Sequence, residues 1–187
     1  MGDAFPKNSE NYKPVVSPRS LRVIKGGSVD METENLLPKI VEFEARKVVG
    51  LGNIGKEDVN IPEVWPSFFS RIHEIRGSKN ESETIGTMIL GDLGYLACTE
   101  VDMFEDVPDG MFSFEIPRGK YALITHNGPL SKIGETFDKL MNWIKVNNYQ
   151  ESNIVTVEVY DHRFKGEDED SEFDSYIEIK QKSALGS

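Results

Sequence analysis

Cysteine, cationic side chains and long apolar runs are all scarce in this chain of 187 residues, and each shortage closes off a class of function. The single Cys98 sits between Ala97 and Thr99 in an apolar run. An internal disulfide framework is therefore excluded, and the thiol reads as core packing. No stretch of about 18 apolar residues and no signal-peptide hydrophobic segment occurs, so the expectation is a soluble, cytoplasmic protein with no membrane partner. Lys and Arg number 21 against 32 Asp and Glu, a net charge of −11. The first 30 residues hold five basic and three acidic side chains, so the remainder carries −13. Such a surface repels nucleic acid and attracts cations, which excludes direct nucleic-acid binding by the domain. The three histidines, His73, His126 and His162, are far apart and lack zinc-ligand spacing, and each reads as a surface or capping residue. There is no G-x-S-x-G elbow and no Walker loop. No cofactor, metal site or catalytic residue is expected.

What the chain does contain is organised around Val155–Phe164, VTVEVYDHRF. Val155, Val157 and Val159 point one way, and Thr156, Glu158 and Tyr160 the other. The valine face is of the kind that packs on helices. The opposite face presents a lone carboxylate with a tyrosine two residues away. An unpaired carboxylate in so apolar a strand costs several kcal/mol or raises its pKa, so it signals a partner or a task. Glu158 is the candidate ligand anchor. Against this stands an edge-strand Glu facing water, since antiparallel sheets commonly wet one face.

Residues 1–36 read as an extended tail, with a strand-like patch at Leu21–Lys25 and a vector-like junction at Gly27–Asp30 ahead of Met31. Residues 37–180 form the expected domain, and 181–187 a C-terminal tail. Within the domain, Val41–Leu51 reads as a strand. Trp65, Phe68, Phe69, Ile72 and Ile75 mark a helix over Pro62–Ile75. Thr84–Leu90 and Tyr95–Phe104 are a hairpin turning at Gly91–Gly94. The order then repeats: a long strand Met111–Thr125 broken at Pro117-Arg118-Gly119, a helix Ser131–Val146, and strands Ile154–Phe164 and Phe173–Ile179. The fold class expected is α+β: duplicated βαββ units forming one antiparallel sheet, with two main helices and a central ligand groove.

Two tempting motifs fail on context. Gly50-Leu51-Gly52-Asn53-Ile54-Gly55 spells G-x-G-x-x-G after a strand, but no helix opens at once and the strands that follow make a hairpin. The acidic run Gly166–Asp174 lacks the glycine and glutamate positions of an EF-hand loop and reads as a solvated loop.

Ile116-Pro117-Arg118-Gly119-Lys120-Tyr121-Ala122 followed by His126-Asn127-Gly128 resembles the signature of the GyrI-like, or AraC effector-binding, domain family. Glu158-Val159-Tyr160, the acidic loop and Ser171-Glu172-Phe173-Asp174 resemble that family's ending, and Trp143 fits its tryptophan position. Lys145–Asn148 departs from the usual Leu-Pro-x-Ser-Gly. The resemblance spans about residues 37–180. It implies a multidrug-sensing module in which a buried Glu of the penultimate strand, here Glu158, meets a lipophilic cation. It also implies a link to transcription regulation, acting with a separate regulator, because no helix-turn-helix pattern precedes Leu37.

The expected ligand is an amphipathic, cationic small molecule bound without chemistry, by a monomer or homodimer. Candidate wall residues are Trp65, Phe69, Tyr95, Tyr121 and Tyr160 around Glu158. Tyr121 and Tyr160 rank above Trp65, because a buried phenol needs a polar partner and Glu158 could supply it. Two rivals stand beside this reading: a hydrolase of cyclopropane-type electrophiles using Glu158 and a tyrosine, and a gyrase-inhibitor-like protein-binding module.

Overall fold

The computed structural model describes residues 37–53, 60–89 and 94–182, so the tail patch at Leu21–Lys25 and the hairpin tip 91–93 lie outside it. Eight strands are formed: β1 (Lys39–Phe43), β2 (Arg46–Gly52), β3 (Thr84–Ile89), β4 (Gly94–Glu100), β5 (Phe112–Ile116), β6 (Gly119–Asn127), β7 (Tyr149–Tyr160) and β8 (Glu172–Gln181). Two helices join them, α1 (Ile61–Arg71) and α2 (Ile133–Val146). Short 3₁₀ turns adjoin both, at Ile72–Glu74 and Leu130–Lys132. Pro62 opens α1, where its missing N–H costs nothing. Asn148, at a φ of 62°, ends the run after α2 and starts the chain into β7.

All strands pair antiparallel in one sheet of order β1-β6-β8-β7-β3-β4-β2-β5. Read from either edge the order is the same, with β1 exchanging for β5, β6 for β2, β8 for β4 and β7 for β3. The duplication is thus real, with its axis between β3 and β7. Each unit differs from expectation in one respect: the opening strand is two strands. The chain bends at Glu44-Ala45 and at Pro117-Arg118, so each half is ββαββ. The first strand of each half then pairs in the other half, β1 with β6 and β5 with β2.

Three clusters of buried side chains hold the sheet. Val64, Trp65 and Phe68 of α1 pack with Val49, Tyr95, Ala97, Tyr160 and Phe173. Leu140 and Ile144 of α2 pack with Ala122, Ile124, Ile177 and Ile179. The third cluster lies on the opposite face and is made of strands alone: Phe43, Val48, Ile85, Leu96, Cys98, Ile116, Tyr121 and the three valines of β7. The valine face therefore packs inside the curl of the sheet and meets no helix. The helices cover the Glu158 face instead. Cys98 is buried at 0% exposure, in line with core packing. Apolar area of this kind stabilises by about 25 cal/mol per Å² removed from water.

The glycines of the G-x-G-x-x-G stretch have a packing role. A methyl on Gly50 or Gly52 would overlap the backbone of β4, at Ala97 and Tyr95 respectively, so these positions serve close strand approach. Gly55 lies outside the described residues.

Candidate functional site

Strand register decides which side chains can meet. Leu51, Ala97, Gly86, Glu158, Ser175 and Ile124 stand side by side across six strands, on the helix-covered face. Glu158 is thus at the centre of the sheet, flanked by Gly86 on β3 and Ser175 on β8. Small residues beside a long acidic one leave its carboxylate room to turn. It turns toward α1.

There it enters a hydrogen-bonded aromatic group. The Tyr160 hydroxyl donates to Glu158 Oε2 at 2.8 Å and the Tyr95 hydroxyl to the same oxygen at 3.3 Å. Trp65 Nε1 donates to the Tyr95 hydroxyl oxygen at 3.0 Å. An indole N–H can only donate, so Tyr95 must accept from Trp65 and its own proton is left for Glu158. The rings interlock: Trp65 meets Tyr160 and Tyr95 edge-on at 5.2 and 6.4 Å between centroids, and Phe69 in a tilted arrangement at 5.6 Å. Phe69 is 47% exposed and forms the outer rim. Behind Tyr160 stand Phe173 and Phe164, at 4.7 and 4.8 Å.

Burial pushes the Glu158 carboxyl above the ordinary carboxylate range, opposed by the hydrogen bonds from Tyr160 and Tyr95. The same burial, reinforced by the neighbouring negative charge of Glu158, holds both phenols well above their usual value. They therefore stay protonated and remain donors. Among the described residues Glu158 forms no ion pair, and its second oxygen, Oε1, has no hydrogen-bond partner. A half-buried carboxylate with aromatic walls and one open oxygen can supply countercharge to a cation, or accept a proton.

Of the six residues expected at the site, the structure brings together Glu158, Tyr160, Tyr95, Trp65 and Phe69. Tyr121 is placed elsewhere. It points into the strand-only core, stacks at 4.8 Å on Phe43 and donates to the Pro117 carbonyl at 3.0 Å. Trp65, ranked below Tyr121 from the sequence, is the member that ties α1 to the carboxylate. His126, expected as a surface or capping residue, is not at the surface but 1% exposed. Its Nε2 lies 3.1 Å from the Pro129 carbonyl and its Nδ1 2.7 Å from Thr136 Oγ1, fixing the end of β6 to the start of α2.

Sequence reasoning missed two neighbours of the carboxylate. Ser175 is fully buried, and its hydroxyl has no partner among the described residues. Gly86 carried a signal, a glycine inside the β-branched run TIGTMI, which marks a close approach.

The fold and site define a small-molecule-binding α+β domain in which a duplicated sheet presents one acidic group beneath a helix. The chain belongs to the GyrI-like small molecule binding domain family, whose match covers residues 37–182. It is 34% identical over 151 residues to the transcriptional regulator BrlR of Pseudomonas aeruginosa, a match covering 78% of this chain. The chain spans about half the length of that curated relative, 56% of it. Among solved structures it resembles the C-terminal domain of EcmrR, with a TM-score of 0.62 and 15% identity over 78% of this chain and 98% of that one. It also resembles SAV2435 bound to tetraphenylphosphonium, with a TM-score of 0.58 and 12% identity over 76% and 93% of the two chains. These two likenesses concern the fold. Among the described residues no helix is long and apolar enough to cross a membrane.

Proposed function

We propose that this domain binds amphipathic organic cations in the cytoplasm without transforming them, with Glu158 as countercharge and Trp65, Phe69, Tyr95 and Tyr160 as walls. The supporting observation is the carboxylate itself. It is half-buried, held by two phenols, unpaired with any cation among the described residues, and open at Oε1. Aromatic faces offer a cation area plus about 0.5–2 kcal/mol each. A carboxylate out of bulk water attracts the charge more strongly than one in it, and an uncharged ligand of equal size forfeits that attraction. The bound cation of SAV2435 agrees with this reading. The likeness to the transcriptional regulator BrlR supports its extension: the bound form is read by transcription machinery.

The test is a fluorescence titration with a panel of dye cations and uncharged dyes of matched size. Saturable binding of the cations, lost in Glu158→Gln, is the expected result. Cation binding unchanged by that substitution removes the countercharge role. Turnover of a cyclopropane-bearing electrophile, seen as a mass gain of one water, would move the site into the hydrolase class.

A further inference from the structure

Tyr95 and Glu158 belong to strands that are not neighbours. β3 lies between them, and with strands about 4.8 Å apart two spacings separate β4 from β7. Tyr95 stands opposite Met88, so Gly86 is its diagonal neighbour on β3, a position aromatic side chains reach. Gly86 itself stands directly opposite Glu158. The Tyr95 hydroxyl reaches the carboxylate by lying over Gly86. A methyl placed there would overlap that hydroxyl and come within 2.9 Å of Glu158 Oε2.

Backbone conformation does not ask for glycine at this position, since its φ is not among the positive ones. Strand interiors disfavour glycine, so the residue needs another reason, and the crossing hydroxyl provides it. We propose that Gly86 is a positioning residue for the ligand site: by having no side chain it lets Tyr95 cross β3 and donate to Glu158, which sets how readily that carboxylate ionises. This deepens the cation-binding reading and rests on it for its functional meaning, yet it can be tested without any ligand. The titratable groups facing Glu158 are Tyr95 from β4 and Tyr160 from its own strand, while α1 contributes only the indole of Trp65.

The experiment is a double-mutant cycle on the full chain, with Gly86→Ala, Tyr95→Phe and both together. The readout is the titration midpoint of Glu158, followed by carboxyl-carbon NMR and assigned with Glu158→Gln. Each single substitution removes one donor from Oε2, so each should raise the midpoint. The pair should raise it by clearly less than the sum of the two, because the hydroxyl is the group the methyl overlaps most, at 2.2 Å, and only the looser contact with Glu158 Oε2 remains without it. Additive shifts, or an unmoved midpoint in Gly86→Ala, overturn the proposal. Should Gly86→Ala fold poorly, Tyr95→Phe should recover part of its melting temperature, and no recovery at all also overturns the proposal. At the pH of the measured wild-type midpoint, the affinity of a cationic dye should fall in Gly86→Ala as ionised Glu158 is depleted, and the difference should vanish well above both midpoints. If the wild type binds no cation at all, the functional reading fails while the ligand-free cycle still decides the role of Gly86.

Discussion

A half-buried carboxylate kept for a guest is a cost to the empty protein. The native Glu158 carboxyl lies above the ordinary value of about 4.3, so the folded state holds its proton to higher pH than the unfolded chain does. The contribution is fully present below the unfolded value and is lost as pH rises through the native one. Glu158→Gln should therefore melt at a higher temperature than the wild type at pH 7, and the gap should close as pH drops below about 4. Thermal scans of both proteins from pH 3 to 8 measure this; a gap that widens in acid refutes it. The two tyrosines separate cleanly as well. Tyr160→Phe removes the 2.8 Å donor to Glu158 and should weaken cation binding by about tenfold. Tyr121→Phe, whose hydroxyl serves Pro117, should cost about 1 kcal/mol of stability and leave binding unchanged. Paired titration and denaturation curves check both. Alternation within β7 was enough to put Glu158 and Tyr160 on one face. Seeing that Tyr121 falls on the opposite face needed the pairing Tyr121↔Glu178, which the sequence does not contain, and a shift of one residue reverses a side chain's face.

The elements themselves were largely legible, for identifiable reasons. Both helices carry apolar stripes at helical spacing, and glycine and proline mark the breaks between strands. The wrong inference concerned which face of β7 a helix covers. A sheet roofed by helices on one side and curled onto itself on the other is apolar on both, so the valines gave no direction. The β7–β8 hairpin also shows how a polar clamp fixes an element that carries function. Arg163 donates to both oxygens of Asp161, at 3.0 and 3.1 Å, and to Asp174 at 3.0 Å, while Thr125 of β6 donates to the other Asp174 oxygen at 2.6 Å. Burial raises the Asp161 carboxyl, but its bonds from Arg163 outweigh this and hold it below the usual range. Its stabilising contribution is then present above about pH 4 and is lost as pH falls through the lowered native value. Arg163→Met should destabilise by about 1 kcal/mol at pH 7, with the penalty shrinking toward pH 2, as urea titrations at the two pH values would show.

At the scale of the whole molecule, net charge bears on kinetics before affinity. A chain of −11 draws cations in from solution, whereas the contact with half-buried Glu158 is screened less by salt. Raising ionic strength from about 20 to 500 mM should slow association of a cationic dye several-fold and leave its dissociation rate nearly constant; stopped-flow traces decide this. The exchange of β1 and β5 between the halves has a further consequence. Neither repeat owns all of its strands, so a chain severed in the Met103–Gly110 connection should yield two pieces that are each incomplete and each the other's template. Mixed, they should restore a single cooperative melt. The protein thus behaves as an intramolecular clasp, in which evolution could remodel one half only as far as the other half's borrowed strand allowed.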